Sequence, residues 1–175
     1  ITRQARFAAV TNLRGAVRRT KSRGFLVSDF VTRGVIPSDV HEYAGFHLIA
    51  GDADGDVVYV TPEQRETLVP GVYGFSNAPL NENWPKTEFA IESMRNALTI
   101  EDAEELVDTM MRFLMTSRGI GDRESEIFIA DERYGTRAST VIVASADTIL
   151  FSEQSFTRRG IAQGERRNFR VSIGV

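Results

Sequence analysis

The sequence predicts one layered domain of α-helices and β-sheets. Three observations favour this fold class. The 175 residues are enough for one domain with a substantial core, and 42% hydrophobic with 26% charged residues is an ordinary globular balance. Short strand-like segments lie on both sides of a pair of amphipathic helical segments. No internal repeat or low-complexity linker interrupts the chain, so sheets covered by helices are the simplest arrangement.

The first third of the chain predicts a strand followed by two helices. Residues 6–12 have strand composition, and this strand begins with no turn or cap before it, so we expect earlier residues to have paired beside it. Residues 24–33 predict a helix that ends at Gly34. A shorter helix is predicted after Pro37, with Ser38 or Asp39 as its cap. The predicted apolar stripe of the first helix is Phe25, Val27, Phe30 and Val31.

Strands predominate in the next part of the sequence. Residues 45–51 and 56–61 predict two strands, joined by a hairpin at Asp52-Ala53-Asp54-Gly55 because Asp-Gly favours tight turns. Residues 67–76 predict a further strand, broken at Pro70-Gly71. A loop is predicted from Asn77 to Asn83.

Two helices and several strands are predicted in the second half. Ile91, Met94 and Leu98 share one face of the first helix, and Thr99-Ile100-Glu101-Asp102 resembles a capping box for the second. Strands are predicted over 126–130, 138–146, 148–152 and 169–173, the first two being apolar enough for both faces to be covered. The second helix has the stripe Ala103, Leu106, Val107, Met110 and Leu114, and Gly119 and Gly121 are predicted to close the pair.

Composition excludes several classes of function. With no cysteine, these residues hold no disulfide, thiolate metal site or thiol nucleophile, and we expect a reduced, cytoplasmic setting. The 21 basic and 24 acidic residues give a net charge of −3, which argues against a nucleic-acid partner. No apolar run is long enough to span a bilayer.

Local motifs for catalysis and metal binding are incomplete. His41 and His47 are the two histidines and lack a carboxylate at ligand spacing, so no metal site is predicted. The acidic run from Asp52 to Asp56 resembles a calcium loop but has Val57 where that loop requires glycine. A serine triad around Ser76 is rejected because no histidine follows His47. Phosphate-loop and dinucleotide motifs are absent, and no cofactor is predicted.

Several polar and basic residues remain as candidates for a binding site. Asn12 and Asn77 follow strands and could donate to an oxyanion, and Arg137 precedes an apolar strand. Trp84 could line a pocket or serve as a core anchor. Two basic segments could hold an anion or could be solvated charge clusters. These are the loop from Arg14 to Arg23 and the late arginines Arg158, Arg159, Arg166, Arg167 and Arg170.

The succession of motifs resembles a known family. Thr11-Asn12-Leu13-Arg14 comes first, followed by Tyr43-Ala44-Gly45-Phe46-His47-Leu48, Ser76-Asn77-Ala78, Trp84-Pro85-Lys86 and Tyr134-Gly135-Thr136-Arg137-Ala138-Ser139. This order is similar to that of the transport and Golgi organisation family, also called the Asn-Arg-Asp-Glu (NRDE) family. His47 stands where members often carry Asn, a change tolerated at a strand position. The motif that gives the family its name would precede Ile1, so the resemblance implies that residues 1–175 form one NRDE-family domain without its native N-terminal segment.

The same family is similar to the N-terminal-nucleophile (Ntn) hydrolases. This resemblance implies an α+β fold of four layers, αββα, with two antiparallel sheets between helix layers. By the same carry-over, Asn12 and Asn77 would hold an oxyanion and Arg137 would support the nucleophile, which would lie in the absent segment. Arg14, Trp84 and Ser139 are the expected ligand-binding residues. The Asn77-Ala78-Pro79 loop and Ser139 are the local points of similarity.

Two functions follow from these resemblances, with an interaction scaffold as a third reading. The first is binding or trafficking of a small apolar anionic ligand of the haem or acyl-lipid class. The second is a cysteine-nucleophile amidohydrolase that acts on small acylated amides. A free N-terminal cysteine would favour the enzyme, and its absence would favour ligand handling. The oligomeric state is left open.

Overall fold

The computed structural model describes residues 6–17, 19–52, 55–78, 82–119, 122 and 124–173, and the chain divides into two compact units. The N-terminal unit runs from Ile1 to Asn83 and includes Ile173–Val175, and the C-terminal unit runs from Trp84 to Ser172. The fold is α+β, with one antiparallel sheet in each unit and three α-helices among the described residues. The single NRDE-family domain over 1–175 stays a prediction.

The N-terminal unit is a four-stranded antiparallel sheet with one helix. Its strands lie in the order β1-β2-β3-β4, so each strand pairs with its neighbour in sequence. The segment between β2 and β3 is the predicted hairpin, whose Ala53 and Asp54 lie outside the described residues. The elements are β1 (Phe7–Asn12), α1 (Gly24–Arg33), a 3-10 helix (Val40–Glu42), β2 (Phe46–Gly51), β3 (Val57–Val60) and β4 (Arg65–Leu68).

The core of this unit lies between α1 and one face of β2. Alternate residues of a strand point to the same face, so Phe46, Leu48 and Ala50 all face the helix. They pack with Leu26 and Phe30 of α1, and all five side chains are buried. The predicted bounds of α1 and its end at Gly34 are confirmed. Gly34 has a φ of 70°, which glycine adopts without strain, and its N–H donates to the Phe30 carbonyl.

Three local predictions in this unit are wrong. Phe25 of the predicted stripe is exposed, and Leu26 occupies the buried position instead. The second helix is one turn of 3-10 helix, and Asp39 does not cap it because its carboxylate accepts from Lys21. The strand predicted over 67–76 is β4, which begins at Arg65 and ends at Leu68, just before Pro70 removes a backbone donor.

The C-terminal unit has two helices and a three-stranded sheet in the order β5-β6-β7. Both strand pairs are antiparallel. Its core joins Val107, Met110 and Met111 of the second helix to Val141 and Leu150 of the sheet. The elements are α2 (Pro85–Ala97), α3 (Ala103–Leu114), β5 (Ala138–Ala144), β6 (Thr148–Phe156) and β7 (Ala162–Ser172).

The sheet of the C-terminal unit is covered on one face. Ser139 and Val141 of β5 are buried, whereas the alternate residues Ala138, Thr140 and Ile142 are exposed. The prediction that this strand is covered on both faces is therefore wrong. Cross-strand neighbours on the uncovered face are Ile142, Phe151 and Phe169, which lie opposite one another.

Other predictions for this unit need correction at element boundaries. The N-cap of α3 is Asp102, whose Oδ1 accepts from the Glu105 N–H at 2.8 Å, whereas the Thr99 hydroxyl donates to the Asn96 carbonyl. Residues 126–130 form no strand, only an isolated bridge at Ala130. The last strand begins at Ala162, not residue 169. In the first helix Leu98 is exposed instead of sharing the buried face.

The glycines predicted to close the helix pair fall on either side of what the structure describes. Gly119 has a φ of 70° beyond the end of α3, and Gly121 lies outside the described residues. Within the described part of the chain, no helix has both the length and the apolar character to cross a membrane.

Candidate functional site

Three of the predicted site residues meet where β1 ends in the N-terminal unit. Asn12 is the last residue of β1, and the chain then turns so that the Leu13 N–H donates to the Gly45 carbonyl at 3.0 Å. The next amide, that of Arg14, donates to the Asn77 carbonyl at 2.8 Å. The predicted grouping of Asn12, Arg14 and Asn77 is thus built by backbone hydrogen bonds between three loops.

These loops surround a cavity of about 430 Å³. The basic residues of its wall are Arg14, Arg19 and His41, and Glu63 is an acid on the same wall. Apolar lining comes from Leu13, Val17 and Tyr43, among others. The cavity therefore combines an apolar lining with an excess of basic groups, which is the composition expected of a site for an amphipathic anion.

Glycine at position 45 allows the loops of the cavity to approach each other. A Cβ atom there would lie 3.0 Å from the Ala16 Cβ and 3.1 Å from the Leu13 Cδ1. Any larger residue would push the Leu13 loop away from β2. The Gly45 in the strand-start motif has a steric reason at this site.

A lysine and two acids brace the wall of the cavity behind Tyr43. Lys21 makes ion pairs with Asp39 and with Glu42, the latter at 2.7 Å, and these carboxylates raise the pKa of Lys21. The ammonium also lies 5.7 Å from the Tyr43 ring centroid. Burial raises the pKa of Tyr43, so its phenol is neutral at physiological pH. Of the basic loop, Lys21 is thus occupied structurally, and Arg18 lies outside the described residues.

A buried histidine connects β2 to the Asn77 loop. His47 is buried, with its Nε2 3.1 Å from the Ala78 carbonyl oxygen and its Nδ1 2.7 Å from the Tyr59 hydroxyl. A carbonyl can only accept, so Nε2 carries a proton and donates to Ala78. In the neutral ring Nδ1 then accepts from Tyr59. Burial, with help from Glu66 and Glu63, raises the pKa of Tyr59 to about 12, which keeps that donor protonated.

The other three predicted site residues belong to the C-terminal unit. Trp84 is the N-cap of α2, is buried, and has the Lys86 ammonium 4.8 Å from its ring centroid. Ser139 is buried in β5, and its hydroxyl donates to the Leu114 carbonyl at 3.3 Å. Arg137 is exposed just before β5, and its carbonyl accepts from the Phe156 N–H. Trp84 and Ser139 thus have structural surroundings, and their predicted ligand contacts stay predictions.

Burial also affects the lysine next to Trp84. Desolvation lowers the pKa of Lys86, and the nearby acids Asp122 and Glu124 oppose that shift. The α2 N-terminus has no open amide for an anion, since the Lys86 N–H donates to the Glu124 carbonyl and the Thr87 N–H to the Trp84 carbonyl. This helix end is satisfied by the protein itself.

The late arginines divide into paired and unpaired positions. Arg166 of β7 makes an ion pair with Asp108 of α3, and Arg170 pairs with Glu104 at 2.6 Å. These two side chains therefore tie the edge strand to the helix. The predicted alternative of a charge cluster, not an anion site, describes them. Arg158 and Arg159 lie in the turn before β7.

The order of these elements is reflected in the comparison with known proteins. The sequence profile of the family described as Transport and Golgi organisation 2 matches residues 1–158. The chain belongs to this family. It is similar to the human Transport and Golgi organization protein 2 homolog at 28% identity, over 99% of this chain and 76% of the human protein. The bovine homolog is 32% identical over 89% of this chain and 70% of its own length, and the mouse homolog 26% identical over 87% and 68%.

Membership of the Transport and Golgi organisation 2 family confirms the resemblance read from the motifs. The structure adds the His47 cluster, which sequence reasoning missed as part of a site. A histidine within an otherwise apolar strand was the available signal, because a buried polar group requires a partner. Among the residues that the structure describes, no group of three or more His, Asp or Glu side chains is placed to hold a metal ion. Pro79 of the predicted Asn77-Ala78-Pro79 loop lies outside them.

Proposed function

We propose that this chain binds a small apolar anionic ligand of the haem or acyl-lipid class in the cavity at the end of β1. The observation that carries the proposal is the composition of this cavity of about 430 Å³, in which Arg14, Arg19 and His41 share the wall with apolar residues. Its size falls in the range of small-molecule sites. Two fixed positive charges favour a carboxylate or phosphate group.

The proposed binding mode places the two ends of the ligand on different parts of the wall. The acidic group lies against the Arg14 and Arg19 guanidinium groups, which remain charged at any physiological pH. The hydrocarbon body lies against Leu13, Val17 and Tyr43. Val17 supports this arrangement because it is 74% exposed, an apolar side chain that a ligand would cover.

Asn12 and Asn77 are proposed to border the same site. Both side chains are exposed, and both residues flank the loop that carries Arg14. Their amides can donate to an oxygen of the ligand's acidic group. The Ntn-type four-layer arrangement and the hydrolase role of these asparagines remain predictions of the resemblance.

Binding of a fluorescent fatty acid tests the proposal. We expect cis-parinaric acid to bind with increased fluorescence, and haemin to compete with it. Replacing Arg14 by Gln removes the charge but keeps a polar side chain of similar reach. The affinity for cis-parinaric acid should fall about tenfold, the cost of one charge-assisted contact.

Two controls make this measurement specific. The methyl ester of cis-parinaric acid lacks the charge, so Arg14→Gln should leave its affinity unchanged. Arg95→Gln removes an exposed arginine on α2, outside the cavity wall, and should change neither affinity. No saturable binding of either probe by the unaltered protein, or equal losses for acid and ester, would contradict the proposal.

A further inference from the structure

We propose that His47 is a positioning residue of this site, which holds the Asn77–Ala78 segment against the loop that carries Arg14. The structural part of this inference stands on hydrogen bonds. Its consequence for ligand affinity rests on the function proposed above. The residue has no place in the cavity wall itself, so any effect on binding must pass through the loop.

The position of His47 in β2 allows this role. Phe46 and Leu48 face α1, so the residue between them faces the opposite side of the sheet. On that side the imidazole is packed by aromatic rings, with centroids 5.9 Å away for Tyr59 and 6.2 Å for Phe75. The Tyr59 and Phe75 centroids are 5.0 Å apart. These rings fix the plane of the imidazole and the direction of its two nitrogens.

Both nitrogens of His47 are used, and each has one role. Nδ1 accepts from the Tyr59 hydroxyl, which selects the tautomer that carries its proton on Nε2. Nε2 then donates to the Ala78 carbonyl. Ala78 is itself buried, so its carbonyl would be left without this donor in a site that water reaches poorly.

The same segment is tied on its other side to the cavity. The Asn77 carbonyl accepts from the Arg14 N–H at 2.8 Å, and the Ala78 N–H donates to the Ser76 hydroxyl oxygen at 3.1 Å. Adjacent residues of one short segment thus bond to β2 and to the Arg14 loop. If the bond from His47 is lost, the Asn77 carbonyl is no longer held in place for the Arg14 amide.

Two amide substitutions separate this role from simple loss of packing. Glutamine places its amide nitrogen the same number of bonds from Cα as Nε2 of histidine, so His47→Gln keeps a donor for Ala78. Asparagine matches Nδ1 instead, so His47→Asn keeps a partner for Tyr59 but not the bond to Ala78. Both variants are polar, and neither titrates.

Hydrogen exchange measured by NMR tests the inference without any ligand. In His47→Asn, exchange of the Arg14 amide should accelerate about tenfold, the expected result of losing one hydrogen bond. In His47→Gln it should remain within about twofold of the unaltered protein. Amides of β2 and β3, such as that of Val60, should remain protected in both variants and so report an intact sheet.

Affinity for cis-parinaric acid, measured on the same proteins, separates the two proposals. Faster Arg14 exchange together with weaker binding in His47→Asn, and recovery of both in His47→Gln, supports both. Faster exchange with unchanged binding, or with no binding by any protein, leaves the positioning role supported and contradicts the proposed function. Equal Arg14 exchange in all three folded proteins overturns the positioning role.

Discussion

The sheets of the two units use their central strands differently. In the N-terminal sheet β2 is buried on both faces, whereas in the C-terminal sheet β6 has one buried face and one partly exposed face. A strand buried on both faces has no solvent side for a polar residue, so His47 must find partners inside the protein. The comparison teaches that the unit with the more enclosed sheet is also the one whose interior polar contacts reach a surface loop.

The two units also differ in what their arginines do. Arg14 and Arg19 line a cavity in the N-terminal unit, while Arg166 and Arg170 are engaged by the carboxylates of α3 in the C-terminal unit. A guanidinium that already has a carboxylate partner offers less to an external anion. This difference is why the proposed ligand site lies in the N-terminal unit.

The largest expected effect contrasts one phenylalanine from each sheet. Phe46 of β2 is 0% exposed, and Phe169 of β7 is 56% exposed. Phe46→Ala should lower the free energy of unfolding by about 3–5 kcal/mol, because it removes a ring from a closed core and leaves a cavity. Phe169→Ala should change it by less than about 0.5 kcal/mol, as expected for surface positions.

Urea denaturation followed by far-UV circular dichroism measures both changes. Arg95→Gln on the exposed side of α2 is a suitable baseline variant. Similar losses for Phe46→Ala and Phe169→Ala would show that the outer face of the C-terminal sheet is covered in solution. The contrast between the sheets drawn above would then fail.

A smaller effect is expected for the ion pair that joins β7 to α3. The Arg166 and Asp108 side chains are 34% and 48% exposed, so water screens their attraction. A double-mutant cycle with Arg166→Ala and Asp108→Ala should give a coupling energy of about 0–1 kcal/mol that shrinks with added salt. A coupling above about 2 kcal/mol, insensitive to salt, would contradict the description of this pair as a surface contact.

The sequence predicted the elements whose signals are local. Helix α1 was predicted with the correct bounds because an apolar stripe leads into Gly34, a residue suited to its positive φ. Strand β2 was predicted because its apolar run is followed by an Asp-Gly turn. The grouping of Asn12, Arg14 and Asn77 came from the order of family motifs, and the structure brings their loops together.

Predictions that depended on distant residues were the ones that failed. The first part of β7 is polar, from Ala162 to Arg167, and it is a strand because β6 pairs with it. Residues 126–130 are apolar enough for a strand but find no strand partner among the described residues, and Phe128 packs on Phe156 instead. The partners of His47 lie 12 and 31 residues away, so no local pattern reveals them.

Mapping the binding site by NMR tests the central claim most directly. Backbone amide shifts would be followed while palmitate is titrated into the unaltered protein. We predict saturable shifts confined to residues 12–17, 41–45 and 61–63, with β7 and α3 unchanged. Shifts centred on Arg166, Arg170 and α3, or no saturable shifts at all, would contradict the claim that the cavity at the end of β1 binds an apolar anion.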